Sequence, residues 1–215
     1  MSRFVIGAGY AVYRGPSPDN TAHRHAAFQI AVADQGEVVM ASDGLHRGPA
    51  LVVAPMVRHR LLAAPYLTTF YVDPHCAFAD RLRALCPSGI AVAPGLRDLT
   101  EDQIGPQLSG ELDGRLAAAM DALAAGPVPM PLLAASVGLS PQRLRALAGR
   151  QLGLPLTRWR IWRRLAESVR ALGDGQSLAE AASTGGFADQ AHFTRQLREM
   201  LGLTPSAVLP LLRPT

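Results

Sequence analysis

The chain has 215 residues, 48% of them hydrophobic, which is enough for one large or two small globular domains and excludes a disordered segment. All 21 basic residues are arginine, and the net charge of +4 lies in the second half. Residues 1–108 contain 9 arginines and 9 acidic residues, whereas residues 109–215 contain 12 and 8. This asymmetry favours a polyanionic partner, although an ordinary solvated surface would also account for it. The sequence shows no secretory leader, no apolar run of transmembrane length and no disulfide framework, so we expect a cytoplasmic protein.

The first 72 residues predict short β-strands. Apolar runs alternate with turn signals such as Asp34-Gln35-Gly36 and Gly48-Pro49, which is typical of an all-β barrel or sandwich. A short helix is predicted over residues 75–86, and the Pro- and Gly-rich stretch 87–108 is predicted to connect this domain to the next. The apolar runs are Phe28–Ala33, Val38–Ala41, Leu51–Ala54 and Leu67–Val72.

From residue 109 the hydrophobic period changes to that of helices. Apolar residues three and four positions apart predict an amphipathic helix over residues 112–124, which ends at Gly126-Pro127. Ser140-Pro141 and Asp189 are predicted to begin helices, and Ser177-Leu-Ala-Glu180 is a capping box. The further predicted helices cover residues 131–137, 141–152, 155–172, 178–185 and 190–201.

The helical half contains an internal repeat with the pattern of a helix-turn-helix unit. The stretches 134–139 and 182–187 each place an alanine four residues before a glycine and an apolar residue directly after that glycine. The alanine allows a second helix to cross closely, and Gly138 and Gly186 suit a tight turn that favours positive φ. Two helix-turn-helix units in tandem are therefore predicted.

The second helix of each unit is predicted to bury one face and to leave the other for solvent or a ligand. Glutamine and arginine lie on both outer faces, and these side chains pair bidentately with adenine and guanine edges in the major groove of DNA. Helices commonly present such residues to solvent, but two matching copies favour DNA binding. The inward residues are predicted to be Leu144, Leu147 and Ala148 in the first copy, and Phe193, Leu197 and Met200 in the second.

The helical half resembles the AraC/XylS family of bacterial transcription regulators over residues 109–215. The most specific motif is Gly-Phe-Ala-Asp-Gln-Ala-His-Phe-Thr-Arg at 186–195, followed by Leu-Gly-Leu-Thr-Pro at 201–205; Gly-Leu-Ser-Pro-Gln-Arg-Leu at 138–144 is the first-copy counterpart. Two departures concern packing: Ala148 stands where the family usually has an aromatic residue, and Val208-Leu209 where it usually has Tyr-Arg.

The resemblance implies that the helix 155–172 joins the two units, and it assigns the base contacts by position. Ala146 and Ala191 are too short for hydrogen bonds and would at most touch a thymine methyl group. The implied base-contacting residues are Gln142, Arg145, Ala146, Gln190, Ala191, His192 and Arg195. The candidates for phosphate contacts, which add affinity without sequence information, are Arg143, Arg150, Arg158, Arg163, Arg164 and Arg198.

Residues 1–96 resemble, less specifically, the cupin-like sensor arm of many family members. The expected fold is therefore an α+β multidomain protein with an N-terminal cupin-like β-barrel and a C-terminal all-α tandem helix-turn-helix domain of homeodomain-like type. We expect a sensor domain over 1–96, a linker over 97–108 and a DNA-binding domain over 109–215.

Four polar residues of the barrel are expected to line an effector pocket: His23, His25, Gln29 and His59. Three histidines are also a plausible ligand set for Zn²⁺ or Fe²⁺. However, Gln29 stands where metal-binding cupins usually have a glutamate, so the sequence favours polar lining, with no metal and no cofactor. Cys76 and Cys86 are expected to be buried helix residues, and Trp159 and Trp162 to pack within the core.

The predicted function is that of a one-component transcription regulator and not of an enzyme. The expected partners are double-stranded DNA, RNA polymerase and a small-molecule effector, with no membrane. Self-association through the barrel, giving a homodimer, is left open. The alternative is a metal-dependent cupin enzyme fused to a DNA-binding module.

Overall fold

The structure is a computed structural model that describes residues 2–212. The strands come first and the helices follow, with one helix inserted before the last strand. The strands are β1 (Arg3–Ile6), β2 (Tyr10–Ser17), β3 (Phe28–Ala33), β4 (Val38–Ala41), β5 (Leu45–Gly48), β6 (Ala50–Val53), β7 (Arg60–Leu61), β8 (Ala64–Val72) and β9 (Ile90–Val92). The helices are α1 (Ala77–Leu85), α2 (Gly114–Ala125), α3 (Met130–Ser136), α4 (Pro141–Leu152), α5 (Leu156–Gly173), α6 (Leu178–Thr184), α7 (Gln190–Leu201) and α8 (Pro205–Leu212).

Two antiparallel sheets form the N-terminal domain. The larger has the strand order β1-β2-β8-β3-β6-β9, and the smaller has the order β5-β4-β7. All residues of β3 are buried because both faces of the larger sheet are covered. Ala31 packs with Met40 between the sheets, whereas Ile30 packs with Leu82 of α1 on the opposite face. The predicted α+β fold, with strands first and helices second, is confirmed.

The predicted linker is packed against the β-domain. Residues 90–92 form β9, which pairs with β6 at the edge of the larger sheet. Leu96 and Ile104 are buried in the same core as α1. Within residues 97–108, Ile104 is buried and Leu99 is partly buried against this core, whereas Leu108 is exposed.

The helices of the C-terminal half lie within two residues of their predicted bounds, and their caps are those expected from the sequence. Ser140 accepts a hydrogen bond from the backbone N–H of Arg143 at 3.3 Å, and Asp189 accepts one from that of His192 at 2.6 Å. The capping box at the start of α6 is present. Helix α8, which packs against β1, was not predicted, since Pro210 interrupts its pattern.

One apolar core joins the two domains. Phe4 and Tyr71 of the β-domain share a buried cluster with Trp159, Trp162 and Leu201 of the helical domain. The packing role predicted for both tryptophans is confirmed. The two halves therefore contact each other directly through this shared core.

A short polar network crosses that interface on one side of the core. Trp162 Nε1–H donates a hydrogen bond to Asp73 Oδ1 at 2.7 Å, and Trp159 Nε1–H donates to His75 Nδ1 at 3.4 Å. The same Asp73 carboxylate lies 3.8 Å from Arg163 Nη1. Burial lowers the pKa of His75, partly offset by the charge of Asp73.

Cys76 and Cys86 flank α1 and are buried, as predicted, with free thiols. Burial raises the pKa of the Cys86 thiol, and it raises the pKa of Cys76 to about 11, so both stay protonated near neutral pH. Within residues 2–212, no helix has the length and apolar character needed to cross a membrane.

Candidate nucleic-acid interface

Each helix-turn-helix unit has the turn geometry predicted from its glycine. Gly138 has φ 66° and Gly186 has φ 71°, the left-handed region that glycine adopts without a steric cost. Ala134 of α3 and Ala182 of α6 are buried, as a close helix crossing requires. The units are therefore α3–α4 and α6–α7, with α4 and α7 in the recognition position.

Helix α4 separates an inner from an outer face as predicted. Leu144, Leu147 and Ala148 are buried. Gly149 lies on the outer face with no atom near its Cα that an added methyl group would meet. The exposed residues of the helix include Gln142, Arg143, Arg145, Ala146 and Arg150.

Helix α7 has the same organisation. Phe193, Leu197 and Met200 are buried. The exposed residues include Gln190, Ala191, Arg195 and Arg198. His192 is half-buried because its ring packs edge-on against Phe187, with 5.3 Å between the ring centroids. The imidazole is therefore held near the start of the helix.

The arginines proposed to contact DNA fall into two groups. Over residues 2–212 the arginines of the recognition helices form no ion pair and no side-chain hydrogen bond, which leaves their guanidinium groups free for an anion; these are Arg143, Arg145, Arg150, Arg195 and Arg198. In α5, by contrast, Arg158 pairs with Glu199 at 2.6 Å and Arg163 lies near Asp73.

Arg164 has a role that the sequence did not indicate. Its Nε–H donates a hydrogen bond to the carbonyl of Gly185 at 2.8 Å, and its Nη2 also contacts the carbonyl of Gly186. The guanidinium carbon lies 4.2 Å from the centroid of the Phe187 ring. These contacts fix the turn of the second unit to α5. They join residues more than twenty positions apart, so no local pattern could have shown them.

The four polar residues predicted to line a pocket are brought together and buried at one end of the β-domain. His23 Nε2 lies 3.0 Å from His25 Nε2, and His59 Nε2 lies 2.6 Å from Gln29 Oε1. The helical domain covers this end: the ring centroids of His25 and Trp162 are 6.2 Å apart. Burial lowers the pKa of all three imidazoles, that of His59 to about 4.

A separate cavity of about 410 Å³ lies between the domains. Trp159, Arg163 and Arg170 of α5 line one side, with Met120 of α2 beside them, and His75 lines the other. None of the four predicted pocket residues lines it. The sequence could not reveal this cavity, since its walls come from segments that are far apart along the chain.

Comparisons with known proteins agree with this geometry. A family described as a helix-turn-helix domain matches residues 133–210, whereas no curated protein has a significantly similar sequence. The fold is similar to that of ToxT from Vibrio cholerae O395, with a TM-score of 0.63 and 10% identity over 97% of this chain and 100% of that one. It is also similar to unsaturated fatty acid-bound ToxT from Vibrio cholerae strain SCE256, with a TM-score of 0.63 and 9% identity over 97% of this chain and 98% of that one. A probable AraC family transcriptional regulator from Rhodopseudomonas palustris is 25% identical over 47% of this chain and 100% of its own, with a TM-score of 0.42.

The tandem units, with their exposed glutamine and arginine faces, and the family match define a DNA-binding transcription regulator. Residues 133–210 match the helix-turn-helix domain family, in agreement with the motifs of the tandem units, and the fold of the two domains is similar to that of ToxT.

Proposed function

We propose that the protein is an effector-responsive regulator whose helices α4 and α7 enter two successive major grooves on one side of the duplex. The observation that carries this proposal is the pair of outer faces with unpaired arginines, joined by a single stiff helix. Helix α5 has 18 residues, which at roughly 1.5 Å per residue gives about 27 Å. Successive grooves are about 34 Å apart, and the offsets from α5 to the recognition helices supply the difference.

Some of the exposed side chains are proposed to contact bases and others to contact phosphates. Gln142 and Arg145 would read base edges in one groove, and Gln190 and Arg195 in the next, with His192 beside them. Ala146 and Ala191 would contact at most thymine methyl groups. Arg143, Arg150 and Arg198 would bind phosphates. Arg158 and Arg163 would have to leave Glu199 and Asp73 to do so. Arg164, the remaining candidate, would have to leave the carbonyls of Gly185 and Gly186.

The effector is proposed to be a small carboxylic acid that binds in the cavity between the domains. ToxT has been solved with an unsaturated fatty acid and with (E)-4-(8-methylnaphthalen-1-yl)but-3-enoic acid, which are both carboxylic acids. Here Met120 and Trp159 supply an apolar wall. Arg163 and Arg170 also line the cavity, and they would turn from Asp73 and Glu167, at 3.8 Å and 2.8 Å, to pair with the carboxylate of the acid. Because both domains line the cavity, a bound acid would change how they dock and so change the affinity for DNA.

The remaining parts of the proposal concern partners and the rival activity. A cytoplasmic regulator of this kind would act by contacting RNA polymerase or blocking it, as a monomer or a homodimer. An enzyme would need room for a substrate at the three histidines, and the end of α7 lies there instead: a Cβ at Gly202 would be 3.0 Å from His23 Nδ1. This favours a regulator over a metal-dependent cupin enzyme.

The experiment is selection of duplexes from random DNA by the full chain, followed by affinity measurements with straight-chain monocarboxylic acids from octanoic to octadecenoic acid. We expect two enriched boxes about one helical turn apart, and an affinity that an acid changes severalfold. Arg170→Gln should abolish the response to the acid, whereas Arg160→Gln, outside the cavity, should retain it. Failure to enrich any sequence contradicts the proposal of sequence-specific DNA binding, and enrichment without a response to any acid contradicts the effector assignment alone.

A further inference from the structure

We propose that His23, His25 and His59 bind one transition-metal ion of the zinc class, and that this ion strengthens the docking of the β-domain on the end of α7. The site lies apart from the cavity proposed for a carboxylic acid, so neither assignment depends on the other. It also differs from the sequence-based prediction, which favoured polar lining without a metal because Gln29 stands where metal-binding cupins have a glutamate.

The three side chains already converge on one point. Their ligand nitrogens lie within 4.8 Å of one another, and all three residues are buried. Zinc–imidazole bonds of about 2.0–2.1 Å place tetrahedral ligand nitrogens about 3.3 Å apart. His23 Nε2 and His25 Nε2 are separated by 3.0 Å, so the cluster needs only side-chain adjustments to accept an ion.

Backbone carbonyls fix the tautomers of two of the histidines. His23 Nδ1 lies 2.8 Å from the carbonyl of Thr21, and His59 Nδ1 lies 3.0 Å from that of Val57. A carbonyl only accepts, so both Nδ1 atoms carry the proton and both Nε2 lone pairs point into the cluster. Metal-binding histidines are held in this way, with the distal N–H donated to a carbonyl.

The metal-free cluster leaves one buried polar atom unsatisfied. His25 must donate Nε2–H to the His23 lone pair, which leaves its buried Nδ1 without a hydrogen-bond partner among the described residues. Gln29 lies beside the cluster, with 2.6 Å between its Oε1 and His59 Nε2, so the amide oxygen is near enough to join the ligands of a central ion. A cation at the centre would bind the lone pairs of all three imidazoles and remove the need for the His25–His23 hydrogen bond.

The donor set selects the class of ion. Three imidazoles without a carboxylate are an established zinc ligand set, so Gln29 in place of a glutamate is no obstacle. Imidazole nitrogens favour Zn²⁺, Co²⁺, Ni²⁺ or Cu²⁺ over Mg²⁺ and Ca²⁺, which prefer oxygen.

The position of the cluster ties the ion to the DNA-binding domain. His23 lies against Gly202, which caps the C-terminal end of α7: a Cβ at Gly202 would be 3.0 Å from His23 Nδ1. The outer face of the same helix carries Gln190 and Arg195. An ion that orders the histidines would stabilise this contact, and by reciprocity the docked state would bind the ion more tightly.

The first experiment measures metal content. The full chain is stripped with a chelator, dialysed against Zn²⁺ or Co²⁺, and assayed for bound metal and for the visible absorption of tetrahedral Co²⁺. We expect about one ion per chain in the wild type and in His46→Ala, a surface histidine of the same domain outside the cluster, and no ion in His59→Ala. Gln29→Glu, which adds an anionic ligand and does not truncate the core, should bind Zn²⁺ at least tenfold more tightly.

The second experiment measures coupling by hydrogen exchange. Zn²⁺ should slow amide exchange in residues 198–204 of the wild type and leave it unchanged in His59→Ala. A wild-type chain that takes up no metal, or a Gln29→Glu variant with no gain in affinity, would overturn the site. Bound metal without slower exchange at the end of α7 would overturn the coupling.

Discussion

Gly185→Ala tests the contact that holds the second helix-turn-helix unit on α5. Gly185 follows α6 with φ −75°, so alanine suits its backbone conformation. The obstacle is steric, because a Cβ there would lie 2.6 Å from the carbonyl oxygen of Arg164 and 2.0 Å from Ser168 Oγ. The serine side chain is fully buried, and a backbone carbonyl cannot rotate away, so α5 and α6 must move apart.

The magnitude follows from two effects. Overpacking of a filled site costs about 1–3 kcal/mol, and the Arg164 hydrogen bonds to the turn, at about 1 kcal/mol each, weaken as the helices separate. We expect a loss of about 3 kcal/mol in the free energy of unfolding. Gly138→Ala is the matched control, with φ 66° and no atom within 4 Å of the added Cβ. Gly138→Ala should lower the free energy of unfolding only by the cost of placing alanine in the left-handed region, about 1–2 kcal/mol.

Urea denaturation followed by tryptophan fluorescence is the assay, since both tryptophans of the chain, Trp159 and Trp162, lie on α5. Ser168→Ala combined with Gly185→Ala removes the nearer clash and leaves the carbonyl, so it should recover less than half of the loss. If Gly185→Ala costs no more than Gly138→Ala, the reasoning from the close α5–α6 approach is refuted.

The remaining predictions concern recognition and acid stability. Gly149→Ala should raise the free energy of unfolding by about 0.5–1 kcal/mol, because glycine is a poor helix former; if α4 approaches DNA closely it should also weaken binding in a titration, and unchanged affinity would argue against that approach. Arg150→Ala should weaken binding to all sequences alike, whereas Arg145→Ala should relax the choice of one base by about 1–3 kcal/mol in a binding-site selection; the reverse pattern would exchange their roles. Inserting about half a helical turn of DNA between the two boxes should remove most of the specific affinity in a mobility-shift assay, since α5 is stiff; unaffected binding would mean that one unit alone reads bases. Asp113 caps α2, and its hydrogen bonds from Arg115 lower its pKa to about 2. Its stabilising contribution is complete above the unfolded pKa of about 3.9 and is lost as the pH falls towards 2, so acid titration of Asp113→Asn should show a shallower decline there than the wild type, and parallel curves would rule this out.

Local sequence signals determined the helical half closely. The caps at Ser140, Ser177 and Asp189 and the turn glycines Gly138 and Gly186 act within a few residues of themselves, so their geometry could be predicted without tertiary contacts. The buried and exposed faces of α4 and α7 also followed from the helical period alone. The helical period was therefore enough to predict which residues of these two helices are exposed glutamines and arginines and which are core residues.

The tertiary structure decided what these elements do together. Arg164 holds the second turn, Asp73 receives the Trp162 N–H, and the cavity beside Arg170 has walls from both domains. The resemblance to cupin-like arms grouped His23, His25, Gln29 and His59, but only the fold shows that this cluster lies beneath the end of α7. Each of these contacts joins residues that are far apart along the chain and are brought together by packing. The hydrophobic period of a single helix or strand therefore cannot predict which distant side chains will meet.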